Sequence, residues 1–257
     1  MKPLSARIQK RLGNFRIRLH PLGREIGRHV RANSIIKRAA VSNEHRYCYF
    51  RIPKCANSTI VKTLAHHDPG MRVSADDPKG RRSKKRFTHL LKAEATGLDD
   101  LQRRFYLFTF VRNPYSRLLS AYLDKLGRTG GTYDFVRRAL GMRPGEPVPF
   151  ERFITYLERG GLYKNPHWAP QRSVLPIRPA RLHFIGGIET LEDGLKTVIE
   201  RVYGPGSFQG LQERTANRQE AAAKLREYYT PELASRVYTL YRGDFEAFGY
   251  PRGLTGT

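Results

Sequence analysis

Acid, cysteine and long apolar runs are all scarce in this chain. Of its 257 residues, 23 are Asp or Glu against 47 Lys or Arg, a formal net charge of +24. A field of that sign argues against basic partners and suits polysaccharides, phospholipid surfaces or nucleic acid. Two cysteines, Cys48 and Cys55, cannot make a disulfide framework, which favours a reducing, cytoplasmic setting. No stretch reaches the roughly 20 apolar residues needed to span a bilayer, so neither a transmembrane helix nor a secretory signal is expected. The charge is not accompanied by a zinc-ligand spacing, a helix-turn-helix or an aromatic RNA motif, so nucleic acid is not an expected partner.

Glycine is missing where phosphate chemistry most often uses it. None lies between Arg46 and Asp68, and the chain has no Gly-Lys pair. That excludes a Walker A loop and a dinucleotide fingerprint. A cysteine phosphatase loop would need an arginine six residues after Cys55, and that position is Val61. What stands here is a short apolar and aromatic run, Tyr47 to Ile52, that suits a buried strand and is stopped by Pro53. From Asn57 or Ser58 onward, Ile60, Val61 and Leu64 recur at helical spacing, with hydroxyl and amide side chains to cap the first turn. A helix N-terminus after a strand turns N–H groups and a positive dipole end toward an anion. Lys54 stands beside that anion.

A second strand, Phe105 to Val111, is ended by Arg112-Asn113-Pro114. Tyr115 to Leu126 then reads as a helix through Leu118, Leu119, Tyr122 and Leu126, with Pro114 suited to its first turn. Arg112 falls at a strand's C-terminal end, where open α/β sheets bind ligands, and Ser120 lies two helical turns on. Two strand-end anion sites of different chemistry imply a ligand with two separated anionic groups.

These residues carry a family resemblance. Pro53-Lys54 through Thr59 resembles the 5′-phosphosulfate loop of the membrane-associated carbohydrate sulfotransferases, and Arg112 through Tyr122 resembles their 3′-phosphate segment. Asn165-Pro166-His167-Trp168-Ala169-Pro170-Gln171, Phe184 to Leu191, and Tyr241-Arg242-Gly243-Asp244-Phe245 to Pro251 look like the chondroitin 4-O and HNK-1 branch, in the same order. The resemblance covers residues 45 to 251 and implies a P-loop-NTPase-like sulfotransferase fold, with a central parallel sheet flanked by helices on both faces. It implies 3′-phosphoadenosine-5′-phosphosulfate as sulfuryl donor, no metal, and a glycan acceptor, a polysaccharide or glycolipid. Animal members carry further cysteines after the His-Trp match; their absence here fits a bacterial-type relative.

Residue by residue, the resemblance gives Lys54 the bridging oxygen of the donor. It gives Cys55, Ala56, Asn57, Ser58 and Thr59 the 5′ phosphosulfate, and Arg112 and Ser120 the 3′ phosphate. Arg214 and Thr215 fall in a loop that closes over the donor in this fold. Taking the hydroxyl proton needs a base, expected at His89, with Glu94 as the next choice. His167 and Trp168 are expected along the acceptor cleft, while His66 and His67, which close the first helix, are the weakest histidine candidates. Two other readings stay open: a divergent P-loop nucleotide kinase-like protein needing Mg²⁺ and a nucleoside triphosphate, and a non-catalytic basic polyanion-binding module.

Residues 1 to 44 are read as a basic helical segment ahead of a sulfotransferase domain at 45 to 257. Leu4, Ile8, Leu12, Phe15 and Leu19 form a helical stripe, and residues 1 to 46 hold twelve Lys or Arg against Glu25 and Glu44. Packing on the domain is its first reading; peripheral contact with an anionic membrane and a targeting peptide are the others. A second basic cluster, Lys79 to Arg86, is read as a loop and as a clamp for an acidic glycan near His89. Further on, Leu182 to Gly186 reads as a strand, Leu191 to Val202 as a helix, Phe150 to Leu157 as another, and a last helix begins with Thr230 as cap and Pro231 in its first turn.

Overall fold

The computed structural model describes residues 20, 22, 36–68, 70, 81–126, 133–212 and 218–254. The stripe from Leu4 to Leu19, Lys79, Gly80, Arg214 and Thr215 lie outside the described residues.

A four-stranded sheet runs in the order β1 (Ala39–Ser42), β2 (Tyr47–Phe50), β3 (Tyr106–Val111) and β4 (Phe184–Gly187). β2, β3 and β4 are parallel, whereas β1 pairs antiparallel with β2, from Ala39 opposite Phe50 to Ser42 opposite Tyr47. The expected parallel sheet therefore carries an antiparallel edge. β1 lies before the division placed at residue 44, in a stretch expected to be helical, and its short sequence becomes a strand through pairing with β2.

The helices are α1 (Asn57–His67), α2 (Arg81–Arg86), α3 (Leu98–Arg104), α4 (Pro114–Lys125), α5 (Asp134–Ala139), α6 (Phe150–Tyr156), α7 (Gln171–Val174), α8 (Leu191–Tyr203), α9 (Arg218–Tyr228) and α10 (Pro231–Phe248). α2 corrects one expectation, because the basic cluster is helical from Arg81 rather than a loop. α10 starts as expected, with the Thr230 hydroxyl accepting from the Leu233 N–H and Pro231 in the first turn.

Side-chain alternation buries both faces of the sheet, as parallel strands require. Tyr47, Tyr49, Phe108 and Phe110 pack with Ile60 and Leu64 of α1 and Leu195 and Ile199 of α8. Cys48, Phe50, Leu107 and Val111 face the opposite way, onto Leu98 and Leu101 of α3, Leu90 and Val174. A third cluster joins α4, α6, α9 and α10 around Tyr122, Phe153, Trp168 and Tyr241. Burying a side chain of this size contributes about 1.5–3 kcal/mol. These three clusters fix the adjacent C-terminal ends of β2 and β3, where the two anion-binding turns emerge.

Candidate active site

The turn after β2 takes a phosphate-loop shape without glycine. Lys54 and Ala56 both have left-handed backbones, with φ of 70° and 47°. Such conformations cost roughly 1–2 kcal/mol each outside glycine, so something must hold them. Asn57 does part of this: its Nδ2 donates to the Ile52 carbonyl at 2.8 Å and its Oδ1 accepts from the Tyr49 hydroxyl at 2.8 Å. The expected side-chain cap on α1 is therefore not made, and Ala56 holds the cap position without a side-chain hydrogen bond. Those two bonds leave Asn57 its backbone N–H and the second amide N–H for a ligand. Successive N–H groups around left-handed residues at a helix start form an anion-binding concavity.

Cys55 is fully buried, and its thiol donates to Gln171 Oε1 at 3.3 Å. Burial pushes that thiol up to about 12, despite its place at a helix start. Thr59 is buried, and Ser58 accepts a hydrogen bond from Lys84 Nζ at 3.2 Å. Sequence reasoning missed Lys84 as a neighbour of this turn because its place depends on α2 packing against α1.

Lys54 Nζ donates to Asp124 Oδ2 at 3.0 Å, and Lys125 Nζ reaches the same oxygen at 3.0 Å. Burial lowers the Lys54 ammonium despite the pull of Asp124, and Lys125 and Arg112 push the same way. Burial works to raise the Asp124 carboxyl, but hydrogen bonds from Lys125 and Lys54 outweigh it and leave it at about 2.

The turn after β3 is built differently. Gln171, fully buried, grips the Arg112 backbone from both sides: its Oε1 accepts from the Arg112 N–H at 3.0 Å and its Nε2 donates to the Arg112 carbonyl at 2.8 Å. Asp244 in turn accepts from the Gln171 and Arg172 N–H groups at 2.5 and 3.0 Å, capping α7. Glu189 accepts from the Asn113 N–H at 2.8 Å and from the Tyr250 hydroxyl at 3.0 Å. The sequence matches at 165–171, 184–191 and 241–251 thus converge on one turn. None of Gln171, Glu189 or Asp244 was legible as a site residue, since their partners are remote in sequence.

The Arg112 guanidinium donates through Nε to Ser116 Oγ at 2.9 Å and reaches the Lys54 carbonyl through Nη1 at 3.5 Å. Among the described residues it makes no ion pair. Burial is the main cause that lowers the Arg112 pKa from its ordinary value, with Arg117 adding to it while Glu189 counteracts. A half-buried cation of this kind, aimed by Ser116 and facing no carboxylate at salt-bridge distance, suits an anionic ligand. Ser120 is half-buried on α4, one turn beyond Ser116. Arg38 adds to the field: burial and the neighbouring Arg51 and Arg117 bring it down to about 10.

Arg117 is fully buried and holds three carbonyls, Pro53 at 3.0 Å, Ala169 at 2.9 Å and Pro166 at 3.0 Å. It ties the lysine turn to the Asn165–Ala169 loop. In that loop Asn165 Oδ1 accepts from the His167 N–H at 2.9 Å and meets His167 Nδ1 at 2.8 Å. An amide oxygen only accepts, so the neutral imidazole carries its proton on Nδ1 and leaves the Nε2 lone pair open. Burial, then the charges of Lys125, Arg38, Lys54 and Arg117, push His167 down to about 3.

Two expectations for the acceptor side, Trp168 and Glu94, turn out otherwise. Trp168 is fully buried, donates to the Gly161 carbonyl at 3.0 Å and packs in the aromatic core, so its indole cannot meet an acceptor directly. Glu94 pairs with Arg46 at 2.9 Å, beside the turn between β1 and β2, at the opposite end of the sheet from Lys54. His89 follows Thr88, which bridges to Val41 on the outer edge of β1. It makes no hydrogen bond or ion pair with Lys54, Arg112 or the groups that brace them, and its buried Nδ1 has no partner. Burial and the charges of Lys92 and Lys37 lower it.

The profile of the sulfotransferase family matches residues 37–251. The chain belongs to that family. The family match starts just before β1 and ends just after Tyr250, so it takes in every residue of both turns and their braces. Among curated proteins, carbohydrate sulfotransferase 14 of Danio rerio is 27% identical over 89% of this chain and 66% of its own length. The Mus musculus protein of that name is 30% identical over 85% of this chain and 61% of its own. Carbohydrate sulfotransferase 11 of Mus musculus is 26% identical over 87% and 70%. The chain thus spans between about three fifths and two thirds of the carbohydrate sulfotransferase 14 proteins it matches. No solved structure gives a significant match. No helix of the described residues is long and apolar enough to cross a membrane.

Proposed function

We propose that this protein transfers a sulfuryl group from 3′-phosphoadenosine-5′-phosphosulfate to a hydroxyl of a glycan. The carrying observation is the pair of cationic turns at adjacent strand ends: Lys54 on one, and on the other a half-buried Arg112 with no carboxylate at salt-bridge distance. A donor with phosphate at one end and phosphosulfate at the other matches that spacing of chemistry, and it supplies the sulfuryl group and leaves as the 3′,5′-bisphosphate. The backbone of Cys55 to Thr59 would hold the 5′ end, and Arg112, Ser116 and Ser120 the 3′ phosphate.

Lys54 would offset the charge that develops on the departing phosphate, the type of electrostatic role that often dominates catalysis. Asp124 keeps the ammonium charged and aimed before a donor arrives. For the proton acceptor the geometry favours His167 over His89, because Asn165 orients it with Nε2 open and the charge of Lys54 acts on it. An anionic donor among those cations raises the basicity of His167 from its depressed value. A glycan acceptor is also what the names of the relatives describe for themselves.

Titration calorimetry with 3′-phosphoadenosine 5′-phosphate tests the donor site. Binding that is weakened about 30-fold or more by Arg112→Ala supports it, on the scale of a charge-assisted hydrogen-bond pair. Absence of binding to the parent chain rejects it. A kinase-like reading would instead show Mg²⁺-dependent binding of a nucleoside triphosphate. In transfer assays His167→Ala should abolish turnover while His89→Ala leaves it measurable, and the reverse result returns the base to His89.

A further inference from the structure

A pocket of about 290 Å³ lies at the end of the sheet opposite to Lys54, where β2, β3 and β4 begin. Its walls come from His45 and Arg46 ahead of β2, the last turn of α3, Tyr106, His183 ahead of β4, and Arg201 in the last turn of α8. Among the described residues no carboxylate lines it. Tyr106 and Arg112 are the two ends of a run along β3 that measures about 20 Å at the rise of a strand. The pocket is therefore separate from both cationic turns.

Tyr106 organises one side. His183 stacks on its ring at 5.8 Å and 15°, and the Arg201 guanidinium lies over the same ring at 5.8 Å. His183 Nδ1 accepts from the Leu107 N–H at 2.9 Å, so the neutral imidazole carries its proton on Nε2 and donates there. Arg201 is exposed, and among the described residues it makes no ion pair. On the other side Arg46 lies over the Phe105 ring at 5.5 Å and pairs with Glu94 at 2.9 Å. Arg103 and Arg104 share the single carboxylate of Asp100, at 3.3 and 3.5 Å. Four guanidinium groups thus meet two carboxylates, both outside the pocket wall. Exposed pairs of this kind hold weakly, so a stronger anion can replace them. Arginines in a helix's last turn also offset its dipole, but that role needs no common pocket, and here separate elements bring theirs to one.

Planar guanidinium groups match phosphate oxygens two bonds at a time. Donors on two sides of so small a space suit two linked phosphates better than one. The volume falls below the roughly 300 Å³ at which pockets for larger organic ligands begin. We propose that this pocket is a second anion site, for a diphosphate group held by Arg201 and His183 on one side and by Arg103 and Arg104 on the other. Free pyrophosphate and the diphosphate of a nucleotide share that chemistry, and the volume favours the free anion.

Pyrophosphate is titrated calorimetrically into the full chain carrying Arg112→Ala, which removes the arginine turn from competition, at about 0.15 M salt to screen the general positive field. One saturable equivalent, weakened about tenfold or more by adding Arg201→Gln or Arg104→Gln, supports the site. Lys196→Gln removes the same charge from an exposed position on the same helix as Arg201, and it should change affinity by no more than about twofold. No saturable binding, several equivalents, or equal losses in the Arg201 and Lys196 variants overturns the proposal. Adenosine diphosphate separates the sources: binding about tenfold weaker than pyrophosphate supports the free anion, whereas equal or tighter binding makes a nucleotide the occupant and overturns that preference. Thermal melting checks that each variant is folded. Donor binding and transfer enter none of these measurements, so the site stands or falls apart from the transferase reading.

Discussion

The turns after β2 and β3 present a cation each, yet they are held by opposite means. At Arg112 the chain is clamped by buried side chains from far along the sequence, Gln171 on its own peptide and Glu189 on the next. At Lys54 the backbone itself carries the shape, left-handed at two non-glycine residues, with carbonyls pinned by Asn57 and Arg117. One turn stores strain and the other stores buried hydrogen bonds. Strained backbone gathers where a group must be aimed for chemistry, whereas a clamped peptide suits a group that only has to hold. On that difference we expect turnover to depend on the lysine turn and affinity on the arginine turn.

The sharpest way to break that division is Lys54→Ala. It should lower kcat by about 10²–10³, the scale of losing one preorganised electrostatic partner, while affinity for 3′-phosphoadenosine 5′-phosphate changes only a few-fold. Equal losses in transfer rate and in calorimetric affinity would make both turns binding elements.

Arg117→Met removes three buried hydrogen bonds that hold the lysine turn and the His167 loop. With carbonyls left unsatisfied at about 1–3 kcal/mol each, stability should fall by roughly 3 kcal/mol or more, and Tm by about 6–12 °C. Scanning calorimetry measures it, and a fall under about 2 °C would mean that the strained turn holds itself.

A pH dependence follows from His167. Its folded value of about 3 lies below the usual imidazole value, through burial and then Lys125, Arg38, Lys54 and Arg117. The unfolded chain takes up the proton first as pH falls, so the group's contribution to stability is lost between about 6.5 and 3. His167→Gln should show a shallower fall in Tm between pH 7 and pH 4 than the parent chain, and parallel curves would show that this imidazole charges freely.

The smallest effect is expected from Ala56→Gly. Relief of a left-handed alanine, partly offset by a more flexible unfolded chain, should stabilise the protein by about 1 kcal/mol or less. A loss of stability instead would show that the methyl group, not the backbone, is what the turn needs.

Legibility in the sequence followed the range of the interactions. The strands through Tyr47–Phe50 and Tyr106–Val111, the helix from Pro114 and the capped start of α10 were readable because periodicity, proline and capping hydroxyls are local signals. Lys54 and Arg112 were readable as turn cations for the same reason. β1 was not, since Ala39–Ser42 owes its form to pairing with β2. Glu94 looked close to the chemistry in sequence, but only the pairing with Arg46 reveals which end of the sheet it occupies. Trp168 and His167 are neighbours in one motif with different fates: one indole fills the core, one imidazole stays half-buried among cations. A motif gives the residues, and packing decides which of them faces outward.

The cap that Asp244 provides for α7 has a consequence for the order of events during synthesis. Asp244 and Tyr250 lie near the far end of the described chain, yet through Gln171 and Glu189 they fix the peptide that carries Arg112. A nascent chain that has emerged only as far as α9 holds both cationic turns and the clamps Gln171 and Glu189, but lacks Asp244 and Tyr250, which fix those clamps in place. Competence to hold the nucleotide should therefore arrive late and abruptly, when α10 docks, so that stalled or shortened chains would not sequester donor.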